Sequence, residues 1–142
     1  MNYYEWKPLA EQGVAEAQYN LGLIYSRGKE IPLDNRQAAH WYRQAAEQGF
    51  AEAQTNLGLM YGKGQGVEQN FREAVKWYRL AAEQGLTQAQ HNLGVMYGRG
   101  QGVVKDYQEA IWWFKLSADQ GYAQAQYNLG LMHNRGEGVP RD

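Results

Sequence analysis

Four asparagines, Asn20, Asn56, Asn92 and Asn128, recur every 36 residues, and seven residues beyond each stands a cation, Arg27, Lys63, Arg99 or Arg135. A side-chain amide both donates and accepts, so a row of amides can pair with an extended backbone, while a parallel row of cations can hold carboxylates. Together they would form a trough for a peptide with acidic groups or a free C-terminal carboxylate. The residues just before the asparagines, Tyr19, Thr55, His91 and Tyr127, change chemistry in nearly every copy, which suits a specificity position. A structural reading stands beside this one. The amides would bond a neighbouring helix or loop and set its packing, and the cations would be solvated last-turn residues that suit the helix dipole. At this level both readings stay open.

Catalytic chemistry finds little support. Serine occurs at Ser26 and Ser117, neither in a nucleophile turn, and there is no cysteine. Glu47, Glu83 and Asp119 come one per copy, on the order of 10 Å or more apart if helix pairs stack, too far for a paired-carboxylate mechanism. The G-x-G-V loops lack the strand and the lysine of a phosphate cradle. His40, His91 and His133 share no spacing, so no metal site is expected, and no cofactor is implied. Trp112 replaces His40 and Lys76 of the earlier copies; it is a candidate contact residue, or else it packs against a further helix.

The elements that carry these residues follow from the repeat. Ala10-Glu-Gln-Gly returns as Ala46-Glu-Gln-Gly, Ala82-Glu-Gln-Gly and Ala118-Asp-Gln-Gly, and segments 46–81 and 82–117 are identical at 20 of 36 positions. A period of this length means stacked supersecondary units that bury their apolar faces only against neighbours. Ala17, Leu21, Ile24 and Tyr25 share one helix face, and so do Ala38, Trp41, Tyr42, Ala45 and Ala46, which makes each unit a hairpin of a helix A and a helix B. Asp34, Asn70 and Asp106 are followed three residues on by Gln37, Glu73 and Glu109, a capping box opening helix B. Gly49, Gly85 and Gly121 close it. Gly22, Gly58, Gly94 and Gly130 lie within helix A at a cost of about 1 kcal/mol each against alanine, which predicts a close approach of helix B through Trp41, Trp77 and Trp113.

The pattern A-E-Q-G…A-x-A-Q-x-N-L-G-x-M-Y-G-x-G-x-G-V…A-x-x-W-Y-x-x-A resembles the Sel1-like repeat, a relative of the tetratricopeptide repeat with a longer loop between its two helices, over residues 10–142. The resemblance implies an all-α, right-handed α-solenoid of helix-turn-helix repeats that binds other proteins and has no catalytic role. It also implies a concave face lined by helix A, on which the Asn and Arg/Lys columns would resemble the carboxylate clamp of some tetratricopeptide domains. Repeat 1 departs from the pattern, with Glu30 in place of Gly66, Gly102 and Gly138, and Ile31-Pro32 in place of the valine start.

The expected organisation is one continuous solenoid: a partial helix over 1–9, repeats over 10–45, 46–81 and 82–117, and a fourth over 118–142 that stops before its second helix. Val139-Pro-Arg-Asp142 aligns with the loop before helix B, with Asp142 at the N-cap position. The unpartnered helix around Ala123 to His133 is expected to promote end-to-end self-association, so a passive spacer or self-assembly module is the alternative to a peptide-binding scaffold. With 14 Lys and Arg against 15 Asp and Glu, the chain carries no basic block for nucleic acid. Its longest apolar run, Ala110 to Phe114, is far too short to insert in a membrane. The start Met-Asn-Tyr-Tyr-Glu-Trp-Lys-Pro has no basic, apolar leader, which fits a cytoplasmic protein or an exported one whose leader was removed.

Overall fold

Among the described residues each predicted cap starts a helix. In the computed structural model, which describes residues 1–138, the side chains of Asp34, Asn70 and Asp106 accept hydrogen bonds from the backbone N–H of Gln37, Glu73 and Glu109. The described residues form eight helices and no strand: α1 (Tyr3–Glu11), α2 (Ala15–Arg27), α3 (Asn35–Glu47), α4 (Ala51–Lys63), α5 (Phe71–Glu83), α6 (Thr87–Arg99), α7 (Tyr107–Asp119) and α8 (Ala123–Arg135). The full reciprocal capping box forms at α1, between Asn2 and Glu5, whereas α3, α5 and α7 make the N-cap half of it. The reading of Val139 to Asp142 lies outside the described residues.

Successive helices pack on one another in chain order, so α2, α4, α6 and α8 are the A helices, and α3, α5 and α7 are the B helices. Gly22, Gly58 and Gly94 within helix A do mark a close approach, but the partner is not the tryptophan, and a Cβ at Gly130 would meet nothing within 4 Å among the described residues. A Cβ at Gly22 would stand 2.6 Å from the ring of Tyr42, at Gly58 2.7 Å from Tyr78, and at Gly94 2.8 Å from Phe114. The tryptophans turn the other way: Trp77 packs with Ala45, Ala46, Ala53 and Leu57 of the preceding α3 and α4, and Trp113 with the matching residues of α5 and α6. Neighbouring residues on a helix point about 100° apart, so one aromatic seals the unit and the other joins it to the previous one. Burial pushes the Tyr78 phenol up to about 12, which keeps it neutral in this interface.

Two further sets of contacts join the units. Gln18, Gln54 and Gln90 are buried, and each donates to the carbonyl eight residues earlier: Ala10 at 3.2 Å, Ala46 at 3.1 Å and Ala82 at 3.3 Å. Each also accepts from the glutamine of the next A-E/D-Q-G turn: Gln48 at 2.8 Å, Gln84 at 2.9 Å and Gln120 at 2.7 Å. Arg79 of α5 donates to the hydroxyl of Tyr97 on α6 at 2.5 Å, and Arg43 of α3 does the same to Tyr61 on α4. These bonds satisfy polar groups that stacking would otherwise leave buried and unpaired.

Repeat 1 keeps the stack by another route. Among the described residues none other than glycine has positive φ, so Glu30 does not copy the left-handed Gly66, Gly102 and Gly138. Its carboxylate instead accepts from the Tyr3 backbone N–H at 2.8 Å and ties the loop to the start of α1. Pro8 lies inside α1 and removes one helical donor, that to the carbonyl of Tyr4, a residue largely open to water.

Candidate functional site

The A helices turn one face away from the B helices. Three clefts of one design follow each other along it. The first, of about 380 Å³, is bounded by Leu23, Leu59, Asn56 and Lys63 over the ring of Tyr42. The second, of about 400 Å³, lies between Leu59 and Val95 over Tyr78, with Lys63, Asn92 and Arg99 at its rim. The third, of about 330 Å³, lies between Val95 and Leu131 over Phe114, with Arg99, Asn128, Arg135 and the carboxylate of Glu137 at its rim. The rings that press on the A-helix glycines are therefore the floors of these clefts.

Gly62 and Gly98 keep the second and third clefts open, a role absent from the sequence reading. A Cβ at Gly62 would meet nothing nearer than the Tyr78 hydroxyl at 3.8 Å, and one at Gly98 nothing nearer than Ala110 at 3.8 Å. Neither glycine is needed for packing or for a positive φ, so each lowers helix propensity and leaves space. The cognate Ser26 partly fills the first cleft and lies 3.2 Å from the Tyr42 hydroxyl. The signal in the sequence was a second glycine four residues after Gly58 and Gly94.

The cation column is exposed as expected, at Arg27, Lys63, Arg99 and Arg135. Arg135 lies 3.7 Å from Glu137, while Lys63 and Arg99 make no ion pair among the described residues. The asparagines are half-buried and behave differently from one another. Asn20 folds onto its own helix, donating to the Glu16 carbonyl at 2.8 Å, whereas Asn128 donates to Nε2 of His91 on the preceding A helix at 2.8 Å. Asn56 lines the first cleft. The Nδ2 of Asn92 is buried and has no partner among the described residues, an unused donor in the second cleft.

The variable slot, whose changing chemistry suited a specificity position, is largely covered: Thr55 is 1% exposed and His91 7%, and Tyr19 is half-buried against Tyr42 and Phe50; Tyr127 alone is open, at 67%. The reason is the neighbouring A helix. Position 19 and its cognates point along the stack toward the next unit, and no helix follows α8 among the described residues. Thr55 spends its hydroxyl on the Ala51 carbonyl at 3.1 Å. Trp112, on the B side, is 55% exposed and lies edge-on to Trp113.

His91 is held by bonds that specify its tautomer. Nε2 accepts from Asn128, so the proton sits on Nδ1, 3.3 Å from Oδ1 of Asn92. Burial lowers its pKa below the usual histidine value, the Asn92 bond opposing the shift. The charged form is disfavoured in the fold, so its contribution to stability is complete above about pH 6.5 and is lost as pH falls below that value. The chain should therefore lose melting temperature between pH 7 and pH 5 more steeply than His91→Thr, which carries the residue of the cognate slot. Parallel pH profiles in calorimetry would refute the assignment.

No cluster of three His, Asp or Glu that could hold a metal occurs among the described residues, and none of their helices is long and apolar enough to cross a membrane. The Sel1 repeat model matches residues 15–50, 51–86, 87–122 and 123–142. The chain belongs to the Sel1 repeat family. Its units in that register begin at helix A, five residues after the alanine that opens each A-E/D-Q-G turn. This Sel1 array is similar to a protective antigen present in uropathogenic Escherichia coli strains that displays an SLR fold, at 47% identity and a TM-score of 0.95 over 100% of this chain and 30% of that one. It is similar also to a Sel1 repeat protein from Oxalobacter formigenes, at 43% identity and a TM-score of 0.85 over 92% of this chain and 54% of that one. The Sel1 array thus spans about a third to a half of the length of these relatives. Helicobacter pylori cysteine rich protein B shares the fold, at 20% identity and a TM-score of 0.68 over 88% of this chain and 95% of that one. No curated protein is a match for the chain.

Proposed function

We propose that this Sel1 array is a non-catalytic scaffold that holds an extended, acidic polypeptide across its A-helix face. Sel1 repeat proteins generally act as protein-interaction scaffolds, and theirs is generally a non-catalytic fold. The observation that carries the reading to this face is the series of three like clefts, each with an apolar floor, an asparagine and at least one cation without an ion pair at its rim. Lys63 and Arg99, which stand at the rim of the second cleft, have no carboxylate of the chain to neutralise them among the described residues. An acidic segment would supply those charges while its apolar side chains enter the clefts.

The test is fluorescence anisotropy with a labelled peptide of glutamate, leucine and alanine, prepared with a free and with an amidated C-terminus. Lys63→Glu combined with Arg99→Glu should weaken binding by about tenfold or more, since each reversal replaces attraction by repulsion. Gly98→Leu should also weaken it, by filling the third cleft, without lowering the melting temperature. Equal affinity for the two peptide forms assigns the cations to side-chain carboxylates, and loss on amidation assigns them to the chain terminus. A face that binds neither form is a spacer, and the reading fails.

A further inference from the structure

Of the three histidines, His91 alone lines one of the A-helix clefts. It belongs to the second cleft, and through Nε2 it holds the side-chain amide of Asn128, which belongs to the third. A neutral ring with its proton on Nδ1 fixes that amide one way round. Nδ2 is spent on the ring, and Oδ1 is the end left for the cleft, where an acceptor opposes a carboxylate. The cognate slots hold Tyr19, Thr55 and Tyr127, and neither a phenol nor an aliphatic hydroxyl titrates where an imidazole does.

Protonation reverses the amide. Nε2 then carries a hydrogen and faces the hydrogens of Nδ2, a contact of donor with donor. A half-turn of the Asn128 amide restores the bond, because Oδ1 accepts from Nε2–H while Nδ1–H keeps Oδ1 of Asn92 at 3.3 Å. The charged imidazole thus finds two amide oxygens as partners, and bonds from a charged donor are stronger than neutral ones. The same half-turn moves Nδ2 to the end that Oδ1 held. The third cleft then offers a donor beside Arg99 and Arg135, and the second gains a positive charge beside Lys63 and Arg99.

The surroundings of the ring carry cations and no carboxylate. Phe114 of α7 and Tyr122 ahead of α8 stand with ring centroids at 5.6 and 5.2 Å, and Asn128 approaches from α8. The second cleft adds Lys63 of α4, Tyr78 of α5 and Arg99 of α6 itself. Glu137 lines the third cleft but lies 3.7 Å from Arg135. A negative charge beside His91 therefore has to come from a ligand.

Resting on the function proposed above, we propose that His91 is a proton-operated specificity switch: on protonation it turns the Asn128 amide from acceptor to donor, so that the A-helix face binds carboxylates more tightly in acid. By linkage the carboxylate holds the proton on His91 as firmly as the proton holds the carboxylate. The bound ring titrates at a higher pH than the free one, so affinity rises as pH falls through the bound value and levels off below the free value.

The amidated peptide of glutamate, leucine and alanine tests this by anisotropy against the 142-residue chain at about pH 7 and about pH 5, at constant ionic strength. Glutamate side chains are largely ionised over that range, and protonating them would weaken binding, an effect of opposite sign. The chain should bind about fivefold or more tightly at the lower pH. His91→Gln, which keeps an acceptor for Asn128 and cannot titrate, should show no tightening, and Asn128→Ala should lose most of it. His133→Gln should tighten as the parent chain does. Equal affinity at both pH values overturns the switch while the acidic-face function stands. Tightening that survives in His91→Gln assigns the effect to another group, and full tightening in Asn128→Ala overturns the amide rotation. A peptide bound at neither pH removes the function and the inference together. Heteronuclear NMR of the imidazole in the free chain reads the tautomer without any ligand: Nδ1–H at neutral pH is expected, and Nε2–H overturns the switch whatever the peptide does. If circular dichroism shows that His91→Gln fails to fold, His91→Thr takes its place with the residue of the cognate Thr55.

Discussion

Gly102→Ala should destabilise the chain by about 3 kcal/mol or more, while the same change at Gly85 should cost about 1 kcal/mol. Both glycines have positive φ, 75° and 94°, so both variants carry the left-handed penalty of a side chain. The difference lies in what the new methyl meets. At Gly85 there is nothing within 4 Å. At Gly102 the Cβ would run into the Phe71 carbonyl group, with its carbon at 2.6 Å, and stand 3.0 Å from the Arg72 nitrogen. Phe71 and Arg72 are the first residues of α5, held by the Asn70 cap, so relief requires moving the loop of one unit off the helix of the unit before it. Because the fold is a one-dimensional stack, that movement loosens a whole interface. Urea unfolding followed by circular dichroism measures both variants, and equal losses would mean that the Gly102 loop contact does not set the stacking.

The second large effect is expected at Gln54→Leu, at about 2 kcal/mol. Leucine keeps roughly the volume but removes the bond to the Ala46 carbonyl at 3.1 Å and the acceptor for Gln84 at 2.9 Å. Gln54 is buried, so water cannot replace its bonds freely, and losing one partner of a buried pair costs about 1–3 kcal/mol. Gln84→Ala removes the same bond together with that to the Gly49 carbonyl at 3.0 Å, but Gln84 is exposed, so water replaces its amide more readily and the cost should be less, about 1 kcal/mol. A double-mutant cycle between the two should show a coupling of about 1 kcal/mol. Simple additivity would show that the glutamine line is packing without a bond between units.

This line of glutamines was visible in the sequence as the recurrent Gln of A-E/D-Q-G and of A-x-A-Q, but its role was not. The bonded partners lie 30 residues apart, and recurrence looks the same whether a residue serves the scaffold or a ligand. The asparagine column posed the same problem and has a mixed answer, with Asn128 bonding across units and Asn20 within its own helix. The exposed cations were legible because a last-turn position outside the apolar stripe needs no knowledge of neighbours. The cleft floors were not, since Tyr42, Tyr78 and Phe114 become floors only once the A helices of two units straddle them.

What the chain carries in its sequence is local: a period of 36 residues, amphipathic faces, the aspartate and asparagine caps and the glycine ends, which together set where helices start, stop and turn an apolar side. Those features act over a few residues, where backbone sterics and nearby hydrogen bonds decide the outcome. Tertiary structure decided the rest, namely that Tyr42, Tyr78 and Phe114 rather than the tryptophans cover Gly22, Gly58 and Gly94 and that Thr55 and His91 are covered while Tyr127 is open. The reason is the rotation of each helix against its neighbours. A turn of about 100° separates adjacent side chains, so a small difference in packing angle exchanges which one meets the next helix and which one meets solvent.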